Sequence, residues 1–244
     1  MIEGEVEILT GHRPLPAFVA RPDGDGRHPA IIFYMDAPGI REELRDMARR
    51  IASHGYLVVL PDLYYRVGTL RFAPPPRSEA QYKVIFAAME GFTNALSMED
   101  TRAVLNWLDR HPHAAAGARG CIGFCMTGKT VMTALGTFPE EIVAGVSMYG
   151  VGIVTAEEDS PHLLAGRMRG EGYFAFAERD RHVPDNVEPT LRKALEEAGA
   201  TFEIETFPDT DHGFSFYERE VYRHDAAERA WTKAFALFER KLKR

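Results

Sequence analysis

The sequence predicts an α/β protein in which a mostly parallel sheet carries helices on both faces. Two short alternating runs open the chain, and apolar strand-like runs then alternate with helical patterns as far as the C-terminus. A strand, a crossover helix and a second strand form a parallel pair, so this alternation favours a doubly wound sheet. The 244 residues contain no Pro/Gly/Ser-rich linker, so we expect one domain over residues 1–244.

The first elements are predicted from a turn and from periodicity. In chain order they are strands at 2–10, 15–21 and 30–34, a helix at 41–54, and a strand at 56–60. The first two runs flank Gly11–Pro14 and favour an antiparallel hairpin. The third run, Ala30–Tyr34, is wholly apolar, which is typical of a strand buried on both faces. In the fourth segment, 41–54, apolar residues recur at helical spacing, and the predicted helix stops at Gly55.

The alternation continues through the second half of the chain and brings the predicted strands to eight. The elements are a helix at 98–110, a strand at 118–124, a helix at 129–138, strands at 142–149 and 173–177, a helix at 187–198, a strand at 202–207 and a helix at 226–242. Residues 62–96 form a longer insertion that holds Pro74–Pro76 and a predicted helix at 78–91. The insertion is either a cap over the site or a loop packed on the surface.

Composition and charge exclude several classes of function. A formal net charge of −7 offers no basic face for phosphate, so no nucleic-acid partner is expected. The N-terminal residues lack the pattern of a signal peptide, and no apolar run approaches the length of a membrane span. We therefore expect a cytoplasmic monomer or homodimer with no membrane partner. Cys121 and Cys125 have a spacing that disfavours a disulfide, so both are expected as reduced thiols.

Cys125 is the candidate nucleophile. It lies in Gly123–Gly128, directly after an apolar strand and directly before a helical pattern. Such a strand–turn–helix motif strains the backbone of its central residue, exposes that side chain above the sheet and needs small flanking residues. The Met126 N–H then lies at the start of the helix, where a tetrahedral oxyanion would form. A buried structural cysteine is the competing interpretation.

A thiol nucleophile requires a base and an acid that orients the base, and both are sought at later strand ends. Asp180 follows the strand at 173–177, and His212 follows the strand at 202–207. Both fall at carboxyl ends, as Cys125 does, in the order nucleophile, acid, histidine. Glu178, Asp209 and Asp211 remain alternative acids at this stage. Among the other histidines, His162 and His182 could line the pocket, and no metal site is indicated.

These segments together resemble the dienelactone hydrolase family of α/β-hydrolases over nearly the whole chain. The segments that carry the resemblance are 33–39, 61–66, 123–128, 149–152 and those around Asp180 and His212. The resemblance implies the eight-stranded α/β-hydrolase fold and hydrolysis of an ester or lactone, with no metal or organic cofactor. It also implies a triad of Cys125, His212 and Asp180.

Further residues take their expected roles only from this resemblance. The backbone amides of Met126 and Ala37 would form the oxyanion hole, and Asp36 would stand where the family has a thiol-activating glutamate. Asp36 is one methylene shorter, and it could equally be held by a neighbouring arginine as a structural pair. Tyr64, Tyr82 and Phe216 are expected as pocket residues.

Two departures from the family concern the substrate. Ser78 and Phe216 stand where the enzyme that opens dienelactone has two arginines on the substrate carboxylate. Loss of that clamp predicts an uncharged or differently anchored ester or lactone. The arginines that could replace the clamp are Arg41, Arg66, Arg71 and Arg77. Thr127 stands where a glycine is common, and its hydroxyl could cap the following helix.

The sequence therefore predicts a cysteine hydrolase that acts on a small ester or lactone through a thioester. A redox-sensing or non-catalytic thiol protein on the same scaffold is the alternative. A hydrolase with an aspartate nucleophile is disfavoured because cysteine occupies the central position of the turn.

Overall fold

The computed structural model describes residues 1–72 and 75–243. Its strands are β1 Ile2–Ile8, β2 Leu15–Arg21, β3 Ala30–Tyr34, β4 Leu57–Pro61, β5 Arg119–Phe124, β6 Ile142–Met148, β7 Glu171–Arg179 and β8 Thr201–Asp211. Its α-helices are α1 Glu42–Ser53, α2 Glu79–Glu90, α3 Asn94–Arg110, α4 Gly128–Thr137, α5 Val187–Glu197 and α6 His224–Leu242. The chain divides into two compact units, Met1–Arg119 and Gly120–Arg244. The single domain stays a prediction.

The first unit contains the opening hairpin and the first parallel pair. β1 pairs antiparallel with β2, in a register that runs from Ile2 opposite Arg21 to Ile8 opposite Leu15. β2 pairs antiparallel with β4, and β4 pairs parallel with β3. β3 and β4 are buried along their whole length, as their uniform apolar character predicted.

The second unit runs in the strand order β5-β6-β7-β8. β6 and β7 are parallel, and so are β7 and β8. The carboxyl ends of these neighbouring strands therefore meet at one edge, where the candidate residues were predicted. The eight-stranded, mostly parallel α/β fold expected from the sequence is confirmed.

The insertion contains the predicted helix as α2. Ser78 caps it: the Gln81 N–H donates to Ser78 Oγ at 3.3 Å, and the Gln81 side chain accepts from the Ser78 N–H at 2.8 Å. Pro74, from the predicted proline run, lies outside the described residues. Whether the insertion caps the site stays a prediction.

Some boundaries differ from the predicted ones. β7 continues to Arg179 and β8 to Asp211. The apolar pattern of the sequence missed these last residues because most of them are polar and at least partly exposed. α3 begins at Asn94, where Thr93 caps it through the Leu96 N–H. A 3-10 helix at Pro161–Arg167 was not predicted. In the described part of the chain, no helix has both the length and the apolar character to cross a membrane.

Candidate active site

Cys125 lies on the sharp turn between β5 and α4. Its φ is 55°, in the left-handed region that non-glycine residues rarely enter. A 3-10 turn, Cys125–Thr127, leads directly into α4. The side chain of Cys125 is half-buried, whereas that of Cys121 is fully buried. The predicted strand, strained turn and helix are therefore present around Cys125.

Glycines make this turn sterically possible. A Cβ on Gly123 would lie 2.5 Å from the carbonyl oxygen of Thr127, and one on Gly128 would overlap the backbone of Gly150. Both obstacles are backbone atoms, so no side-chain rotation could relieve them. The two glycines that the sequence singled out thus each have a steric reason.

Thr127 fastens the turn to the strand that precedes it. Its Oγ1 accepts a hydrogen bond from the Phe124 N–H at 2.9 Å and donates to the Phe124 carbonyl at 3.1 Å. The side chain makes no capping hydrogen bond to α4. The expectation that Thr127 caps the helix is therefore wrong, because its hydroxyl is used by Phe124.

His212 and Asp180 meet at the edge of the sheet. Each directly follows the last residue of its strand, β8 and β7 respectively. His212 Nδ1 lies 2.7 Å from Asp180 Oδ2, and the two side chains are 10% and 4% exposed. A buried carboxylate on Nδ1 keeps the proton there and fixes the orientation of the ring.

The electrostatics of His212 favour its protonated form. Burial lowers the pKa of its ring, but the hydrogen bond with Asp180 and the interaction with Cys125 outweigh burial and raise the pKa to about 9. The other nitrogen, Nε2, is buried and makes no hydrogen bond of normal length and angle with any described residue. Catalytic hydrogen bonds are often long before substrate binds. Nε2 is therefore placed to accept a proton.

The alternative acids lie in the last residues of β7 and β8 and have other partners. Asp209 and Asp211 both pair with Arg179, at 3.3 and 3.2 Å, and Glu178 accepts from the Asp209 N–H. The side chain of Asp209 is 92% exposed, against 4% for Asp180. Of the four carboxylates considered, the structure brings Asp180 to the histidine.

Tyr149 is a residue of this site to which the sequence assigned no role. It has a φ of 39°, and its ring lies 5.1 Å from the ring of His212 between centroids. Its hydroxyl lies 2.7 Å from Ser215 Oγ. The Tyr149–Gly152 segment was part of the family resemblance, but nothing in it indicated an aromatic contact with the histidine.

Asp36 belongs to a buried ion cluster of the first unit. Arg41 Nη1 lies 2.6 Å from Asp36 Oδ1, and Arg41 Nη2 lies 2.6 Å from Glu43 Oε2. Burial lowers the pKa of Arg41, and the two carboxylates outweigh burial and raise it. The structural pair considered for Asp36 is thus present, and Arg41 is its partner.

The loop after β3 is held at its backbone as well. The Tyr64 hydroxyl donates to the Ala37 carbonyl at 2.8 Å, and the Gly39 N–H donates to the Asp36 carbonyl at 2.9 Å. Tyr64 is buried, and its hydroxyl holds this loop of the first unit through that hydrogen bond. These contacts fix the orientation of the Ala37 peptide.

The remaining pocket candidates have different surroundings. Tyr82 is exposed on α2 and stacks on Phe86 at 6.3 Å. Phe216 is fully buried and packs against Phe124 and Tyr149, at 5.4 and 5.9 Å between centroids. The described residues contain no group of three or more His, Cys, Asp or Glu side chains that could hold a metal ion.

Similarity to known proteins identifies the family of this chain. The model of the dienelactone hydrolase family matches residues 15–242. The chain belongs to this family. The resemblance seen in the sequence is thus confirmed, and family membership identifies a hydrolase of ester or lactone bonds.

Proteins similar to this chain match it over nearly its whole length. A Synechocystis sp. protein provisionally named a carboxymethylenebutenolidase is 27% identical, over 98% of this chain and 96% of that protein. A Bradyrhizobium sp. protein provisionally named a 2-oxo-3-(5-oxofuran-2-ylidene)propanoate lactonase is 25% identical, over 93% and 89%. The crystal structure of a Klebsiella pneumoniae protein, provisionally named a dienelactone hydrolase, has a TM-score of 0.85 and 28% identity, covering 97% of this chain and 98% of that one.

Proposed function

We propose that the protein hydrolyses a small carboxylic ester or lactone through a thioester on Cys125. The observation that carries the proposal is a half-buried cysteine on a strained turn whose interaction with His212 raises the pKa of that histidine. Asp180, whose carboxylate contacts His212 Nδ1, is the third member of the proposed triad. Membership of the dienelactone hydrolase family supports the class of bond.

Acylation follows from the roles of these groups. The Cys125 thiol gives its proton to His212 Nε2, and the sulfur attacks the acyl carbon. The carbonyl electron pair moves to oxygen, and the Met126 amide, at the start of the helical turn, stabilises the resulting oxyanion. The pair then returns, the C–O bond breaks, and His212 gives its proton to the leaving oxygen. The product is a thioester on Cys125.

Deacylation restores the enzyme. Neutral His212 takes a proton from water, and the hydroxide attacks the thioester carbon. The Cys125 sulfur leaves and recovers its proton from His212 as the acid product departs.

Two residues of the first unit keep roles that rest on the family resemblance. The Ala37 amide would be the second donor to the oxyanion, and Asp36 would activate the thiol. The hydrogen bond from Arg41 to Asp36 Oδ1 supports a second role for Asp36, which is to shape the loop that carries Ala37.

We propose a substrate that carries no charge at the place where the two arginines of the family would hold a carboxylate. Ser78 caps α2, and Phe216 is fully buried among aromatic rings. Three of the arginines that could replace the clamp are paired with buried carboxylates of the first unit: Arg41 with Asp36 and Glu43, Arg66 with Asp100, and Arg71 with Asp62. These pairings support a preference for neutral esters and lactones.

Ester turnover by a cysteine variant tests the mechanism. Cys125→Ala should lose turnover of p-nitrophenyl esters, and the wild-type protein mixed with a slow ester should gain the acyl mass on the peptide that contains Cys125. Cys121→Ala is the matched control, because burial raises the pKa of that thiol and keeps it out of the chemistry. Equal turnover by the wild type and Cys125→Ala would overturn the mechanism. A reactive Cys125 that never acylates would favour the redox-sensing alternative.

A further inference from the structure

Two histidine rings meet at the triad. The His182 ring lies edge-on to the His212 ring, with centroids 4.8 Å apart and an interplanar angle of 66°. The His182 backbone N–H donates to Asp180 Oδ1 at 2.9 Å, while Oδ2 lies 2.7 Å from His212 Nδ1. One carboxylate therefore positions both histidines, the first through its backbone and the second through its ring.

The groups around His182 are mostly positive. Burial comes first in lowering its pKa, followed by the charges of His212, Arg181 and Arg219, while Asp180 acts in the opposite direction. Arg181 Nε donates to His182 Nε2 at 3.4 Å, and the Arg219 guanidinium lies over the neighbouring Phe216 ring. His182 is therefore neutral at neutral pH and gains its charge only in acid.

We propose that His182 is a positioning residue whose ring holds the His212 ring in place. Its protonation in acid sets the lower pH limit of the reaction. The inference rests on the proposed function, because it concerns the proton that His212 takes from Cys125.

The physical reason is repulsion between like charges. When His182 is neutral, its ring packs against His212 and leaves the transferred proton undisturbed. When His182 is protonated, a second positive charge beside His212 shifts that proton back from Nε2 to the sulfur, with no other bond changed. His182 is exposed, so the gap of about 5 Å is largely solvated, and such a charge changes this equilibrium by about fivefold.

Two variants separate the ring from its charge. His182→Phe keeps an aromatic ring that cannot titrate, and His182→Ala removes the ring and the charge. At pH 8 we expect kcat/KM within about twofold of wild type for His182→Phe and a loss of about fivefold for His182→Ala, because only the second variant loses the ring contact.

The pH profile carries the decisive comparison. Because the pKa of His182 lies below the ordinary histidine value, wild-type kcat/KM should fall more steeply than that of His182→Phe below about pH 6. The two should differ by about fivefold at pH 5. His224→Phe, which changes a histidine that contacts Asp225 and Tyr222, should follow the wild-type profile. Superimposable profiles for the wild type and His182→Phe would overturn the inference.

A second measurement needs no turnover. Titration of the histidine ring signals by NMR should give His182 a pKa below its ordinary value, and His212→Gln should raise it, because the like charge is gone. An unchanged His182 pKa would contradict the coupling. If Cys125→Ala keeps full ester turnover, the proposed function fails whatever the rings do. If Cys125→Ala is inactive but the His182 tests fail, only this inference is lost.

Discussion

Asp180 makes two hydrogen bonds, one to His212 and one to His182, that together fix its own orientation and that of the His212 ring. Oδ2 lies against His212 Nδ1, and Oδ1 accepts from the His182 N–H. A carboxylate held at both oxygens cannot rotate away, so the proton stays on Nδ1 and Nε2 is left as the acceptor that the proposed mechanism requires. In the proposed mechanism, the negative charge also stabilises the imidazolium that would form when Cys125 attacks.

Asp180→Asn should therefore lower kcat by about a thousandfold or more, because the amide has the same shape but no charge to favour the correct tautomer and the imidazolium. Circular dichroism should show an unchanged fold, since the substitution keeps the volume of the side chain. Steady-state kinetics with a p-nitrophenyl ester measures the effect. Asp209→Asn is the matched control, because Asp209 is an exposed carboxylate paired with Arg179. A similar loss in both variants would contradict the role of Asp180.

The strand-end pattern alone could not choose the acid, and only the family resemblance named Asp180. The spacing showed only that Glu178, Asp180, Asp209 and Asp211 all follow late strands. Because neighbouring parallel strands end at one edge, such residues share a region, and their side-chain directions depend on the turns. A salt bridge to Arg179 holds Asp209 and Asp211, and the turn after β7 directs Asp180 inward.

At the scale of the element, the turn at Cys125 depends on close backbone packing. α4 approaches the loop after β6 so closely that a Cβ on Gly128 would overlap Gly150, and the Val151 N–H bonds to the Cys125 carbonyl at 2.8 Å. The left-handed φ of Cys125 is strained, and these contacts with its neighbours hold it.

Gly128→Ala should thus destabilise the protein by about 3 kcal/mol or more, because the added methyl group must displace backbone rather than a flexible side chain. Urea denaturation followed by circular dichroism gives the free energy of unfolding. Gly166→Ala is the control: its Cβ would meet nothing within 4 Å, so its stability should stay close to wild type. Equal stabilities of the two variants would show that the loop after β6 can yield.

At the scale of the molecule, a histidine cluster ties together two segments of the first unit. The His28 N–H donates to the His113 carbonyl, and the Ala115 N–H donates to the His28 carbonyl, both at 2.8 Å. Burial comes first in lowering the pKa of His28 and of His111, and the charges of Arg21 and His113 act in the same direction. The folded state therefore binds these protons less readily than the unfolded chain.

Because these pKa values are lowered on folding, the unfolded chain takes up more protons as the pH falls below about 6.5. The cluster's contribution to stability is fully present above that pH and is lost below it. Between pH 7.5 and pH 5 we expect acidification to lower the free energy of unfolding of the wild type relative to that of His111→Phe, which keeps a ring next to Trp107 but cannot titrate. Urea denaturation across this range provides the measurement. Identical pH slopes for the two proteins would exclude the cluster as a cause.

The sequence by itself determined the order of the elements, the turn at Cys125 and the chain order of its partners. These features depend on local patterns: apolar periodicity, glycines beside a strained residue, and polar residues after strands. The tertiary structure decided which carboxylate meets His212, that Phe216 is fully buried, that Arg41 holds Asp36, and that His182 lies against the ring of His212. Each of these is a contact between segments distant in the sequence or a direction set by a turn, and no local pattern encodes either one.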